Sequence, residues 1–148
     1  MNTVEIQLFG RFKLVLNGSE LALAPSVKET LALLVVAAGS RLTTKGLWKV
    51  LYEYMGIKFN AAFYMSRIKD LEAELERFGI SDLIICSCSG IRSCRLDRDA
   101  VCCDYYEMLD GKQPFGNEKD FLPEYEWAKG FYQKDWSSLH DYCNSLKL

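Results

Sequence analysis

The chain has 148 residues, 49% hydrophobic and 26% charged, a balance that excludes a disordered segment and suits one ordinary domain or a small domain with an appendage. A formal net charge of −2 argues against an indiscriminate polyanion binder. The longest apolar run, Leu31 to Ala38, is far shorter than the ~20 residues of a membrane span.

The first residues alternate in character. Val4, Ile6 and Leu8 are apolar while Thr3, Glu5 and Gln7 are polar, the period-two pattern of a half-buried strand. Phe9-Gly10-Arg11 offers a turn, Phe12, Leu14 and Leu16 resume the alternation, and Asn17-Gly18 is a strong hairpin signal. Leu21 and Leu23 suggest a short third strand, which completes an antiparallel meander with one apolar face.

The period then becomes helical. Pro25-Ser26 with Glu29 spells a capping box, and Val27, Leu31, Leu34, Val35 and Ala38 line one face of a helix that Gly39 stops. Thr43 or Thr44 caps a second helix, with Leu47, Trp48, Leu51 and Met55 on its buried side. The third helix is the longest, from Asn60 to Phe78 with Gly79 ending it, and Tyr64, Ile68, Leu71, Leu75 and Phe78 form its apolar stripe. A β-hairpin follows, Leu83 to Cys88 and Ile91 to Leu96, joined around Ser89-Gly90. A short helix is predicted from Asp104 to Leu109, and Gly111 to Gly116 reads as a breaker-rich linker. The aromatics Phe121, Tyr125, Trp127, Phe131, Tyr132 and Trp136 beyond it are too few residues to build a core of their own. They either pack on the preceding domain or open a larger one. The domains predicted are thus 1–110 and a 111–148 extension.

Charge is segregated along this frame. Residues 41–69 carry six bases, Arg41, Lys45, Lys49, Lys58, Arg67 and Lys69, against the single acid Glu53. Residues 99–148 carry ten acids and five bases. On the side of the third helix opposite its apolar stripe lie Ala62, Ser66 and Lys69, flanked by Lys58, Met65 and Arg67. Small residues among scattered bases let such a face sit close to a polyanion.

Strands, three helices and a hairpin in that order resemble the winged helix-turn-helix effector domain of OmpR/PhoB-type response regulators, in the variant used by SARP-like activators. The resemblance is carried by Val4-Glu5-Ile6-Gln7-Leu8-Phe9-Gly10-Arg11-Phe12, Leu31-Ala32-Leu33-Leu34 and Leu42-Thr43-Thr44-Lys45-Gly46-Leu47-Trp48. It continues in Ser66 to Leu75 and Cys103-Asp104-Tyr105-Tyr106, and Phe121 to Ala128 looks like the start of the helical activator domain that usually follows. The resemblance implies an α+β fold: an N-terminal antiparallel sheet, three helices, a C-terminal hairpin wing and a short helical extension. It implies a cytoplasmic transcription regulator of a two-component system, with duplex DNA as partner and RNA polymerase or a second copy of the chain beside it. The third helix would enter the major groove and the wing would reach the minor groove. Carried onto this sequence, Lys45, Lys49, Lys58, Ser66, Arg67, Lys69 and Arg92 become the nucleic-acid-binding residues. The 148 residues leave no place for a receiver domain, so the chain reads as an effector fragment or a short regulator. The pattern departs from the family at Asp70 and Glu72, where relatives carry bases, and at Gly90-Ile91, where they carry Gly-Tyr. A carboxylate facing phosphate repels it.

That departure motivates the alternative, a protein-interaction module on the same scaffold with weakened or lost DNA binding. The acidic tail and the aromatics from Phe121 to Trp136 suit it. Metal chemistry finds little support, because Cys86, Cys88, Cys94, Cys102 and Cys103 lack the paired C-x₂₋₄-C spacing of zinc knuckles. Met1-Asn2-Thr3-Val4-Glu5 has no secretion-signal character, and in a cytoplasmic chain the six cysteines are expected to be reduced thiols. No enzyme activity and no cofactor are expected. The single histidine, His140, reads as an exposed helix-end residue, and no phosphate loop, dinucleotide fingerprint or nucleophile elbow occurs.

Overall fold

The computed structural model of the chain describes residues 2–40, 60–87, 93–114, 118–125 and 128. The predicted second helix with Lys45 and Lys49, Lys58 beyond it, the hairpin tip with Arg92, and most of the chain beyond Tyr125 lie outside the described residues.

Strands β1 (Val4–Gln7), β2 (Lys13–Leu16) and β3 (Ser19–Glu20) form the expected meander. Val4 pairs with Leu16 and Ile6 with Leu14, so their apolar side chains share the buried face while Glu5 points to solvent. Asn17 and Gly18 both adopt positive φ, 51° and 85°. That is the backbone a two-residue hairpin turn demands and that glycine and asparagine tolerate best. The turn resumes pairing at once, Leu16 with Ser19 and Val15 with Glu20. The third strand therefore precedes Leu21 and Leu23, which pack half-buried against the core instead.

Helix α1 (Pro25–Ser40) opens on proline, whose missing N–H is no loss in a first helical turn, and the Ala24 carbonyl accepts from the Lys28 N–H at 2.9 Å. Ser26 therefore lies inside the helix, where its carbonyl accepts from the Thr30 hydroxyl at 2.8 Å, and the expected Ser26–Glu29 capping box is not the helix start. Every residue from Leu31 to Ala37 is buried, not one face alone. The reason is position: α1 is the central helix, touched by the next helix, the hairpin and the short helix near residue 104. It also runs through Gly39. A Cβ there would lie 2.7 Å from Cε2 of Tyr105 and 3.0 Å from Cδ1 of Leu109, so glycine is required by close packing.

Helix α2 (Ala61–Arg77) is the predicted third helix. The Asn60 side chain caps it by accepting from the Phe63 N–H at 3.0 Å, and Tyr64, Ile68, Leu71 and Leu75 are buried as the periodicity predicts. It ends in a Schellman motif: the Gly79 N–H donates to Glu76 and the Ile80 N–H to Leu75, with Gly79 at φ 73° and Ile80 buried. Strands β4 (Ile84–Ser87) and β5 (Ser93–Leu96) then pair antiparallel and pack on α1 and α2. Cys86 faces Cys94 in this register, and the two are joined as a disulfide with Cα atoms 4.1 Å apart. This differs from the expectation of reduced thiols; the register brings together two sulfurs eight residues apart in sequence.

A two-residue strand, β6 (Cys102–Cys103), joins the sheet parallel to β1 and makes the order β3-β2-β1-β6. Two residues are too few to show alternation, which is why sequence does not announce it. The predicted helix follows as α3 (Asp104–Leu109). The Asp104 carboxylate accepts from three backbone N–H groups: Leu8 at 2.9 Å, Phe9 at 3.1 Å and Tyr105 at 2.7 Å. It thereby ties the end of β1 to the start of α3. The Tyr106 hydroxyl donates to the Val35 carbonyl at 2.6 Å and fixes α3 across α1.

Burial pushes the Cys103 thiol from its ordinary 9.0 up to about 12. The folded thiol holds its proton after the unfolded thiol has lost it, so this stability is complete below pH ~9 and disappears as pH rises towards 12. Melting temperature is expected to fall steeply over that window, and Cys103→Ala to make the fall shallower. An unchanged alkaline slope in the variant would count against the buried-thiol account.

The described part of the extension returns to the sheet. Phe121 bridges to Phe9, the Leu122 N–H donates to the Leu8 carbonyl at 2.9 Å, and the Gly10 N–H donates to the Asp120 carbonyl at 2.7 Å. The Glu124 carboxylate accepts from the Phe12 N–H at 3.1 Å. The fold is α+β with one core, and no helix among the described residues is long and apolar enough to cross a membrane.

Candidate nucleic-acid interface

The stripe that seats α2 on α1 decides which side chains it offers outward. With Tyr64, Ile68, Leu71 and Leu75 underneath, the outward side carries Ala62, Phe63, Met65, Ser66, Lys69 and Asp70, all exposed. Ser66 and Lys69 are where the sequence projection puts them. Arg67 is half-buried: its guanidinium lies 4.7 Å above the Phe63 ring, and Nη1 is buried without a hydrogen-bond partner among the described residues. A cation held over an aromatic face is attracted to it by ~0.5–1 kcal/mol or more, so Arg67 is oriented by Phe63.

Charge along α2 is polarised. From Ala61 to Lys69 there are two bases and no acid; from Asp70 to Arg77 there are four acids and one base. The helix macrodipole acts within the terminal turns; the first turn of α2 carries no charge and the last carries Arg77, a favourable placement. Glu74 is relieved by its ion pair with Arg77.

The hairpin packs on α1 and α2 through β5, whose Cys94 and Leu96 are buried. Ile85 and Arg95 are paired and both exposed, so Arg95 adds a cation to the outward side of the hairpin. The sequence reading passed over Arg95 as a site residue, although strand alternation with buried Cys94 and Leu96 marks it as outward. Arg98 is engaged elsewhere, bonded to Asp110 at 2.7 Å and stacked 4.5 Å above the Tyr106 ring. Phe63 and Met65 are 43% and 39% exposed, large apolar surfaces on an otherwise polar face.

One cleft among the described residues is unsuited to a polyanion. This cleft of about 400 Å³ on the outer side of the sheet is lined by Glu5, Gln7, Lys13, Cys102, Asp104 and Glu107, with acids outnumbering the one lysine. Comparison of the chain with protein-family models, curated proteins and solved structures yields no match.

Proposed function

We propose that the chain is a duplex-DNA-binding domain of the winged helix-turn-helix kind, acting in transcription regulation. Helix α2 enters the major groove and the β4–β5 hairpin serves as a wing at the minor groove. The observation that carries this reading is the outward first half of α2, with Ser66 and Lys69 exposed and no acid before Asp70. In this reading Lys45, Lys49 and Arg92 hold phosphates and fix the register, and Lys58 adds positive charge to the same face. Ser66 and Lys69 reach base edges, and Arg67 does so by leaving the Phe63 ring. The same reading makes the chain the cytoplasmic effector part of a two-component response regulator, with RNA polymerase or a second copy as its protein partner.

Lys69→Ala is expected to weaken duplex binding by about 1–3 kcal/mol if Lys69 contacts a base. Arg92→Ala is expected to lower the slope of log affinity against log salt by about 1. Fluorescence anisotropy on a labelled duplex at several salt concentrations measures both. If neither substitution alters affinity, α2 and the hairpin are not the DNA face.

The exposed pair Phe63 and Met65 favours one other reading, a protein-interaction module on the same scaffold. In that case both basic substitutions are silent towards DNA, and Phe63→Ala removes binding of a protein partner.

A further inference from the structure

Three side chains from three elements converge under the hairpin: Glu72 of α2, Cys86 of β4 and Cys94 of β5. The Glu72 carboxylate oxygen and the two sulfurs all lie within 4.8 Å of one another. Cys94 is buried, and Glu72 and Cys86 are half-buried. We propose that these residues form a redox-gated site for a thiophilic divalent cation, Zn²⁺ being the best fit, open only when the Cys86–Cys94 disulfide is reduced.

A dithiol reductant supplies two electrons and two protons; the Cys86–Cys94 bond breaks to two thiols, and the reductant becomes a disulfide. The cation then displaces both thiol protons, giving two thiolates and one carboxylate around it, with water in the fourth position. Ligand atoms about a tetrahedral zinc lie on the order of 3.5–4 Å apart, given Zn–S near ~2.3 Å and Zn–O near ~2.0 Å. The two sulfurs are bonded to each other here, so reduction must first let them part to that spacing. Two sulfurs select against magnesium and calcium, which take oxygen ligands.

The spacing rules for zinc knuckles miss this site because its two cysteines meet across a hairpin, and its third ligand comes from a helix. The consequence is mechanical. The disulfide joins β4 only to β5, whereas the cation would join both strands to α2. The proposal stands independently of the DNA reading.

The test uses the whole chain, reduced with a phosphine that is then removed under nitrogen. Zn²⁺ is titrated by calorimetry, and Co²⁺ by absorbance for thiolate-to-cobalt charge transfer. One ion per chain, with proton release, is expected for the reduced chain and none for the oxidised one. Zinc is expected to protect Cys86 and Cys94 from alkylation, mapped by peptide mass, while exposed Cys102 stays reactive. Glu72→Gln is expected to lower affinity at least about tenfold at unchanged stoichiometry. The Cys86→Ser/Cys94→Ser double variant should lose binding. The proposal fails if the reduced chain takes up no zinc, if oxidised chain or double variant binds equally, if protection maps to other cysteines, or if Glu72→Gln binds as tightly as the parent. Protection mapping needs no variant, so a misfolded mutant does not blunt the test.

Discussion

Asp104→Ala is expected to destabilise the chain by about 3–5 kcal/mol, a large part of the ~5–15 kcal/mol that holds a domain together. The carboxylate accepts from Leu8, Phe9 and Tyr105. Each bond to a charged acceptor contributes ~1.5–3 kcal/mol, and part-buried N–H groups left without a partner add a penalty. Water reaching some of those groups keeps the sum below three full losses. Asp104→Asn keeps one acceptor oxygen and loses the other, so its cost should be smaller, about 1–2 kcal/mol. Urea denaturation of the three proteins measures the series. An alanine variant within about 1 kcal/mol of the parent would mean that Asp104 does not fasten β1 to α3.

Phe121→Ala is expected to cost a further ~3–5 kcal/mol in its own right, the range for a buried phenylalanine. Phe121 is 1% exposed, with its ring 5.3 Å from that of Phe9 and 5.5 Å from that of Tyr105. The effect should appear as a shift of one cooperative transition with its denaturant slope unchanged. The described part of the extension would then belong to the same folding unit as the sheet, despite the linker that separates them in sequence. A separate early transition in the variant, with the main one unmoved, would show an extension that folds on its own.

What was legible in the sequence follows from the range over which each signal acts. Helix α2 was readable from its stripe and its Gly79 stop, because both are local to one helix. Asn17-Gly18 and Asp104–Leu109 were readable for the same reason. Strand β6 was not, since its partner Ile6 lies almost a hundred residues away and two residues carry no period. The aromatics of the extension signalled a need for burial, but nothing local to Phe121 points to Phe9 as its cover. At the start of α1, two local rules competed, and proline at the first helical position prevailed over the serine cap. At the candidate interface, exposure of Ser66 and Lys69 followed from periodicity alone. The stacking of Arg67 on Phe63 did not, because both the ring and the guanidinium choose their rotamers in three dimensions. Cys86 and Cys94 were each assigned to a strand, yet their meeting depends on hairpin register.

The most direct test of the regulator reading is retention of the purified chain on a random-sequence duplex pool at two salt concentrations, with the retained fraction sequenced. The predicted result is enrichment of a short motif, single or repeated, with retention that falls steeply as salt rises. No retention even at low salt would contradict DNA binding, and Asp70, exposed on the outward side of α2, would be the first residue to examine.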